Sequence, residues 1–261
     1  MNIKNLQFKA KKLRQETLIM FIKKGEAHLG GSFSMIEILL TLYELILKKR
    51  DKFILSKSHA SFPLCLLLRK KGYKPKITTH LEIDEKNGIF CTSGSLGHGL
   101  PIATGMAFAR KKIKKKGKIF VLISDGECQE GTTWESFLIA AKHKLDNLVV
   151  IIDYNKIQSL TSIANTLELE PFADKFISFG WNVLSIDGHN HDELTQSLKS
   201  VNNINSKPTA IICNTTKGKG VSFMEDKVLW HYRSPQDKEY QDAIQELDEA
   251  ISKIKQESEN A

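Results

Sequence analysis

The sequence predicts an α/β fold: a mostly parallel sheet with helices on both faces, built as a single domain over residues 1–261. Three observations carry that expectation. Short, largely apolar runs recur beyond residue 118, stretches of helical periodicity lie between them, and no linker or internal repeat divides the chain. Apolar strands alternating with helices imply parallel pairing with both sheet faces covered. The 261 residues, 41% hydrophobic and 26% charged, suit one large domain.

The elements follow in order. Leu6 to Lys24 reads as an amphipathic helix, with Leu13, Thr17, Met20 and Phe21 at helical spacing. A Gly-rich turn is expected at Gly30-Gly31. Ser34 with Glu37 three residues later has the form of a capping box, starting a helix that runs to about Leu47. Ser58 to Lys71 reads as another helix, closed by Gly72, and the Gly/Ala-rich stretch Leu96 to Lys112 as a closely packed one. Four strands are expected: 119–123, 148–152, 182–186 and 209–213, with a helix from Thr133 to Leu145 between the first two. A last helix spans about 235–257, with Tyr240, Ile244, Leu247, Ile251 and Ile254 on one stripe.

The formal net charge is +8, concentrated in runs such as Lys111-Lys112-Ile113-Lys114-Lys115-Lys116 and Lys48-Lys49-Arg50. No aromatic residues interleave with them to stack bases, so they read as solvated loops and no nucleic-acid partner is expected. Cys65, Cys91, Cys128 and Cys213 lack paired or metal-type spacing, which fits reduced thiols in a cytoplasmic protein. No signal-like apolar start and no uncharged run of about 20 residues is present, so no membrane partner is expected.

The chemistry concentrates after the first two strands. Asp125-Gly126 follows one and Asn155 the next, thirty residues on, so one crossover brings both side chains to the same end of adjacent strands. A carboxylate and an amide oxygen make part of a magnesium shell, which phosphate oxygens can complete. Gly126 would let backbone N–H groups approach a diphosphate at the following helix start. His28, His59, His80, His98 and His231 fall in loops or at element ends, and imidazole can move protons near neutral pH. His143 reads as solvent-facing, and His189 and His191 as turn residues. No G-x-G-x-x-G follows the first strand, which argues against a nicotinamide-binding enzyme.

The run Ser124-Asp125-Gly126-Glu127-Cys128-Gln129-Glu130-Gly131, with Trp134-Glu135 and Asp153-Tyr154-Asn155, resembles the thiamine diphosphate motif of transketolases. Ala27 to Ser32, Leu55 to Ala60, Ser93 to Gly97, Lys217 to Val221 and Trp230-His231 resemble further motifs of that family, in order along the chain. The resemblance implies the diphosphate-binding domain of the thiamine diphosphate-binding fold. It implies Mg²⁺ held by Asp125, Asn155 and the Ile157 carbonyl, and cofactor contacts from His59, Gly94, Ser95, Leu96, Gly126, Lys217 and His231. It also implies ketose contact and proton shuttling by His28 and His80, a place for His231 at the reacting centre, and an acidic interface network including Glu130 and Glu135. The activity implied is transfer of a two-carbon ketol unit from a ketose phosphate to an aldose. The alternatives are a 2-oxoacid-using thiamine enzyme and a catalytically inactive assembly subunit. The pyrimidine-binding domain is absent from this sequence, so a separate partner chain and an α₂β₂ assembly are expected. Ser124 and Tyr154 depart from the family pattern beside the metal residues without being ligands, and His98, Tyr232 and the stretch 159–163 depart where they could reshape the acceptor site, which leaves the sugar specificity open.

Overall fold

The computed structural model describes residues 3–25, 28–204 and 206–259. Ala27, the first residue of one motif quoted above, lies outside them. The chain opens with α1 (Ile3–Lys24), α2 (Leu29–Ser34) and α3 (Ile36–Thr41), the last continuing through a π turn at Leu42–Ile46. Then come β1 (Lys52–Leu55), α4 (Phe62–Lys70), α5 (Gly99–Lys112), β2 (Ile119–Ser124), α6 (Gly131–Lys142) and β3 (Leu148–Tyr154). The second half carries α7 (Ile163–Thr166), α8 (Phe172–Ser178), β4 (Asn182–Asp187), α9 (His191–Ser200), β5 (Thr209–Asn214) and α10 (Asp237–Glu259).

The five strands form one parallel sheet in the order β1-β2-β3-β5-β4. Strand periodicity divides the apolar runs between two cores. Phe120, Leu122, Val149 and Ile151 face one side, packed with Leu6, Phe33 and Leu194. Ile119, Val121, Ile123, Val150 and Ile152 face the other, packed with Leu100, Phe137 and Phe176. Burial on both faces is why these runs read as continuous rather than alternating. Leu6, Ala10, Leu13, Thr17 and Phe21 form the buried stripe of α1, against which α10 lies through Ala243, Leu247 and Ile251.

Several expectations need correction. The four strands become five, because Lys52-Phe53-Ile54-Leu55 pairs with β2 from Lys52↔Ile119 to Leu55↔Leu122. Four residues beside a basic run are too few to show a period. Nor is Ser34 a cap: Gly30-Gly31 is helical, and Ser34 ends α2. Its hydroxyl donates to Asp153 Oδ2 at 2.6 Å. Glu37 accepts from Arg14 at 2.6 Å and pairs with His189 Nδ1 at 3.1 Å. Burial opposes its ionisation, but the Arg14 guanidinium holds its carboxyl well below the usual range. A buried arginine outcompetes the local backbone for that carboxylate. The helix expected from Leu96 begins at Gly99, and no helix among the described residues is long and apolar enough to cross a membrane.

Candidate functional site

A cleft of about 320 Å³ opens at the carboxyl ends of β2 and β3. Such edges are where open α/β sheets bind ligands, because the loops there converge from several strands. The parallel register places Ser124 opposite Asp153, so the residues just beyond each strand, Asp125 and Asn155, emerge side by side. Both line the cleft with the Ile157 backbone.

The oxygens of this trio are turned inward. Asp125 Oδ1 accepts from Gly126 N at 2.8 Å, and Oδ2 accepts from Lys156 N at 2.6 Å. Asn155 Oδ1 accepts from Ile157 N at 3.2 Å. The Ile157 carbonyl accepts from Lys217 Nζ at 2.8 Å, so an ammonium already sits against this oxygen cluster. Burial pushes the Asp125 carboxyl up to about 7, and neighbouring Asp153 adds to the shift. Burial likewise lowers the Lys217 ammonium to about 8, with Asp125 opposing. A buried carboxylate with that penalty gains from a cation beside it. Among the described residues no group of three or more His, Cys, Asp or Glu could hold a metal by itself. A Mg²⁺ held by this trio would need further oxygens, from a bound ligand or from water, as is common for this ion.

Beneath the trio lies a buried ion pair. Lys57 follows β1 and Asp153 lies within β3; their side chains are 1% and 0% exposed and meet directly. Lys57 Nζ also donates to the Gly31 carbonyl at 2.8 Å, while Ser34 and Thr215 donate to Asp153. Burial resists the charge on Asp153, but Lys57 and the donors hold its carboxyl below the ordinary value. Glu127, fully buried, accepts from Ser56 Oγ, Gly97 N at 3.1 Å and Ser124 N at 3.0 Å, joining three cleft loops. Burial raises its carboxyl above the ordinary value.

The histidines gather at the mouth. The His28 and His59 rings are 5.1 Å apart, His28 and His231 5.3 Å, and Tyr232 lies 5.0 Å from His28 and 4.6 Å from His231. His28 holds φ 80, a left-handed conformation uncommon for a residue with a side chain and often found at functional sites. Lys217 Nζ donates to His231 Nδ1 at 2.6 Å. Burial, followed by the Lys217 charge, pushes that imidazole down to about 3. Burial and Lys57 hold His59 well below its ordinary value. His80 reaches the cleft over Gly94, where an added Cβ would lie 2.6 Å from His80 Cδ2.

The structure thus brings together His28, His59, His80, Gly94, Leu96, Asp125, Gly126, Glu130, Asn155, Ile157, Lys217 and His231. It leaves two of the expected residues outside. Ser95 is exposed and turned away between Gly94 and Leu96. Glu135 is exposed on α6 and borders a separate apolar groove with Pro101, Phe108 and Ile139. His98 is exposed, with Nδ1 3.1 Å from the Leu96 carbonyl. Tyr154 also misses the cleft: its hydroxyl donates to Glu170 and its ring stacks on Phe172 at 4.8 Å. Sequence reasoning gave no role to Lys57, Asp153 or Glu127. The available signal was three charged residues inside otherwise apolar or strand-terminal stretches, where only a partner makes burial tolerable.

Residues 9–248 match the family "Transketolase, thiamine diphosphate binding domain". The chain is 34% identical over 279 residues to an apulose-4-phosphate transketolase subunit of Phocaeicola vulgatus, covering 99% of each. It is 36% identical to a 6-deoxy-6-sulfo-D-fructose transketolase subunit of a Clostridium species, covering 94% of this chain and 96% of that one. Human transketolase is 30% identical over 243 residues, 85% of this chain but 38% of that protein. Among solved structures, transketolase from Campylobacter jejuni superposes with a TM-score of 0.80 at 27% identity, over 100% of this chain and 49% of that one. The chain spans about half the length of that solved transketolase. With a parallel sheet, a cleft at its carboxyl edge and that match along nearly its whole length, this chain belongs to the transketolase family through its thiamine diphosphate binding domain.

Proposed function

We propose that this chain is the diphosphate-binding subunit of a two-chain transketolase, which holds thiamine diphosphate through Mg²⁺ and moves a two-carbon ketol unit from a ketose to an aldose. The observation that carries the reading is the convergence of the Asp125, Asn155 and Ile157 oxygens with Lys217 and four histidines in one cleft. The oxygen set fits a magnesium–diphosphate pair: hard donors, an incomplete shell, and a carboxyl whose ionisation burial disfavours until a cation arrives. Asp125, Asn155 and the Ile157 carbonyl would hold the metal, and Lys217 and His59 would face the phosphates. Thiamine diphosphate, when bound, supplies the electron sink that lets a carbon–carbon bond beside a carbonyl break.

The rest falls to the chain's own groups. Gly94 and Leu96 border the cleft as backbone contacts, and His28 and His80 stand at its mouth to take and return hydroxyl protons of the sugar. His231, its ring 5.3 Å from that of His28, offers a hydrogen-bond donor beside it. Glu130, at the rim, and Glu135, on the exposed face of α6, are available to a neighbouring protomer.

A partner chain with the pyrimidine-binding and C-terminal domains would complete the enzyme as an α₂β₂ heterotetramer. The chain covers 99% and 96% of two relatives named as transketolase subunits, and about half of the solved transketolase. Both relatives are named for sugars, which favours a ketose donor over a 2-oxoacid. Four buried free thiols suit a reducing cytoplasm. The test is reconstitution. The chain with thiamine diphosphate and Mg²⁺ should transfer no ketol unit alone, and should do so from xylulose 5-phosphate once its partner chain is added. Turnover by the lone chain would reject the split enzyme, and turnover with pyruvate alone would reject the ketose donor.

A further inference from the structure

A second concave site lies at the other end of the sheet. The loops entering β1, β2 and β3 at their amino ends enclose a cleft of about 760 Å³. Six residues of β2 separate it from Asp125, roughly 20 Å at the rise of a strand. Nine lysines and arginines line it against two aspartates, a net of +7 where the whole chain carries +8. The molecule's excess charge is thus gathered in one concavity.

That concentration is built. Gly117 has φ 110, and a Cβ there would lie 2.3 Å from the Arg50 carbonyl, so its lack of a side chain lets the two basic loops close on one another. Arg110, nearly buried, donates to the same Arg50 carbonyl at 2.7 Å. Asp51 accepts from Lys48 N at 2.9 Å and Lys118 N at 2.8 Å, which commits both its oxygens to the backbone. Asp146 is likewise engaged, by Lys111 at 3.0 Å and Ser206 N at 3.2 Å. The scaffold therefore uses both aspartates and leaves the side chains of Lys48, Lys49, Arg50, Lys114, Lys115 and Lys116 exposed around a common space. Like charges held this way repel one another, and a multiply charged anion relieves the repulsion.

We infer that this amino-edge cleft binds a small ligand carrying several linked phosphate groups. The volume lies in the range of small-molecule sites. Among the described residues no aromatic side chain lines it, so stacking of bases, the usual means of holding single strands, is not provided. The ligand is recognised by its charge density, which a nucleoside triphosphate and an inorganic polyphosphate share.

Titration calorimetry on the full chain, without Mg²⁺, tests this with sodium tripolyphosphate, ATP and orthophosphate as probes. Tripolyphosphate should bind at one site at least tenfold more tightly than orthophosphate, and more weakly as salt rises. Reversing two exposed charges, Lys114→Glu with Lys116→Glu, should weaken it tenfold or more, while Lys253→Glu, an exposed position on α10 outside the lining of the cleft, should leave it unchanged. ATP matching tripolyphosphate would make the phosphate chain itself the ligand, and ATP binding tenfold tighter would make it a nucleotide; either supports the site. Circular dichroism of the double variant checks that it is folded. No saturable binding overturns the inference. So does loss of binding in Lys217→Ala with retention in the double variant, which would place the anion in the carboxyl-edge cleft. A short RNA displacing tripolyphosphate from this cleft at lower concentration would show a nucleic-acid surface in its place.

Discussion

Replacing Lys57 by methionine isolates the ion pair under the cleft. The change keeps most of the side-chain volume and removes the charge, so packing is largely preserved. What remains is Asp153, 0% exposed, with Ser34 and Thr215 as donors and no counter-ion against it. Breaking a buried pair from one side costs about 3–5 kcal/mol. That is a large part of the roughly 5–15 kcal/mol that holds a domain folded. Lys57→Met with Asp153→Asn removes both charges and is expected to cost less than Lys57→Met alone. The pH dependence has a defined sign. With Lys57 present the Asp153 carboxyl is held below its ordinary 3.8, so the pair's contribution is present above that pH and fades as pH falls below it. Without Lys57, burial is opposed by the hydroxyl donors and the more remote Lys217 charge, and the folded-state pKa rises. The variant's deficit should then be largest near neutrality and shrink as pH falls and the carboxyl takes up a proton. Urea unfolding of the full chain followed by circular dichroism, at several pH values, measures all of this. A Lys57→Met cost below about 1 kcal/mol, or a double variant losing as much as the two singles added, would refute the pairing.

Three further outcomes bear on the cleft. Asp125→Ala should abolish Mg²⁺-dependent thiamine diphosphate binding by calorimetry, and unchanged affinity would remove the metal assignment. His28→Asn, chosen because asparagine tolerates φ 80, should keep cofactor affinity and slow the reconstituted enzyme by about 10²-fold or more. Collapse of cofactor binding in that variant would instead put His28 on the diphosphate. Gly94→Ala forces its Cβ toward His80, so KM for the ketose should rise several-fold with thiamine diphosphate affinity nearly intact; an unchanged KM would take His80 away from the substrate.

What the chain discloses without coordinates is uneven, for physical reasons. The strands 119–124, 148–154 and 209–214 are buried on both faces, so their apolar runs stand out. Asp125 and Asn155 could be paired because parallel strands joined by one crossover fix which ends coincide. β1 stayed hidden because four residues carry no period. Ser34 was misplaced because its partner, Asp153, lies 119 residues away, and local patterns cannot register a bond across the sheet. Lys57 escaped for the same reason. The two basic runs could each be seen as exposed, but only Gly117 and Arg110 show that they face each other.

The contact between Lys217 and His231 has a consequence for the division of labour among the imidazoles. An ammonium has no lone pair, so the ring nitrogen it touches must accept, and the single ring hydrogen is confined to Nε2. With Nδ1 already engaged by a cation, gaining a second ring proton would first require breaking that bond. His231 is thereby held as a donor for as long as Lys217 keeps its proton, and burial with that charge lowers its imidazole out of the neutral range. Any ionisation near neutrality that governs turnover must belong to another group, and the pH profile should survive unchanged in shape if His231 is exchanged for a neutral amide donor such as asparagine.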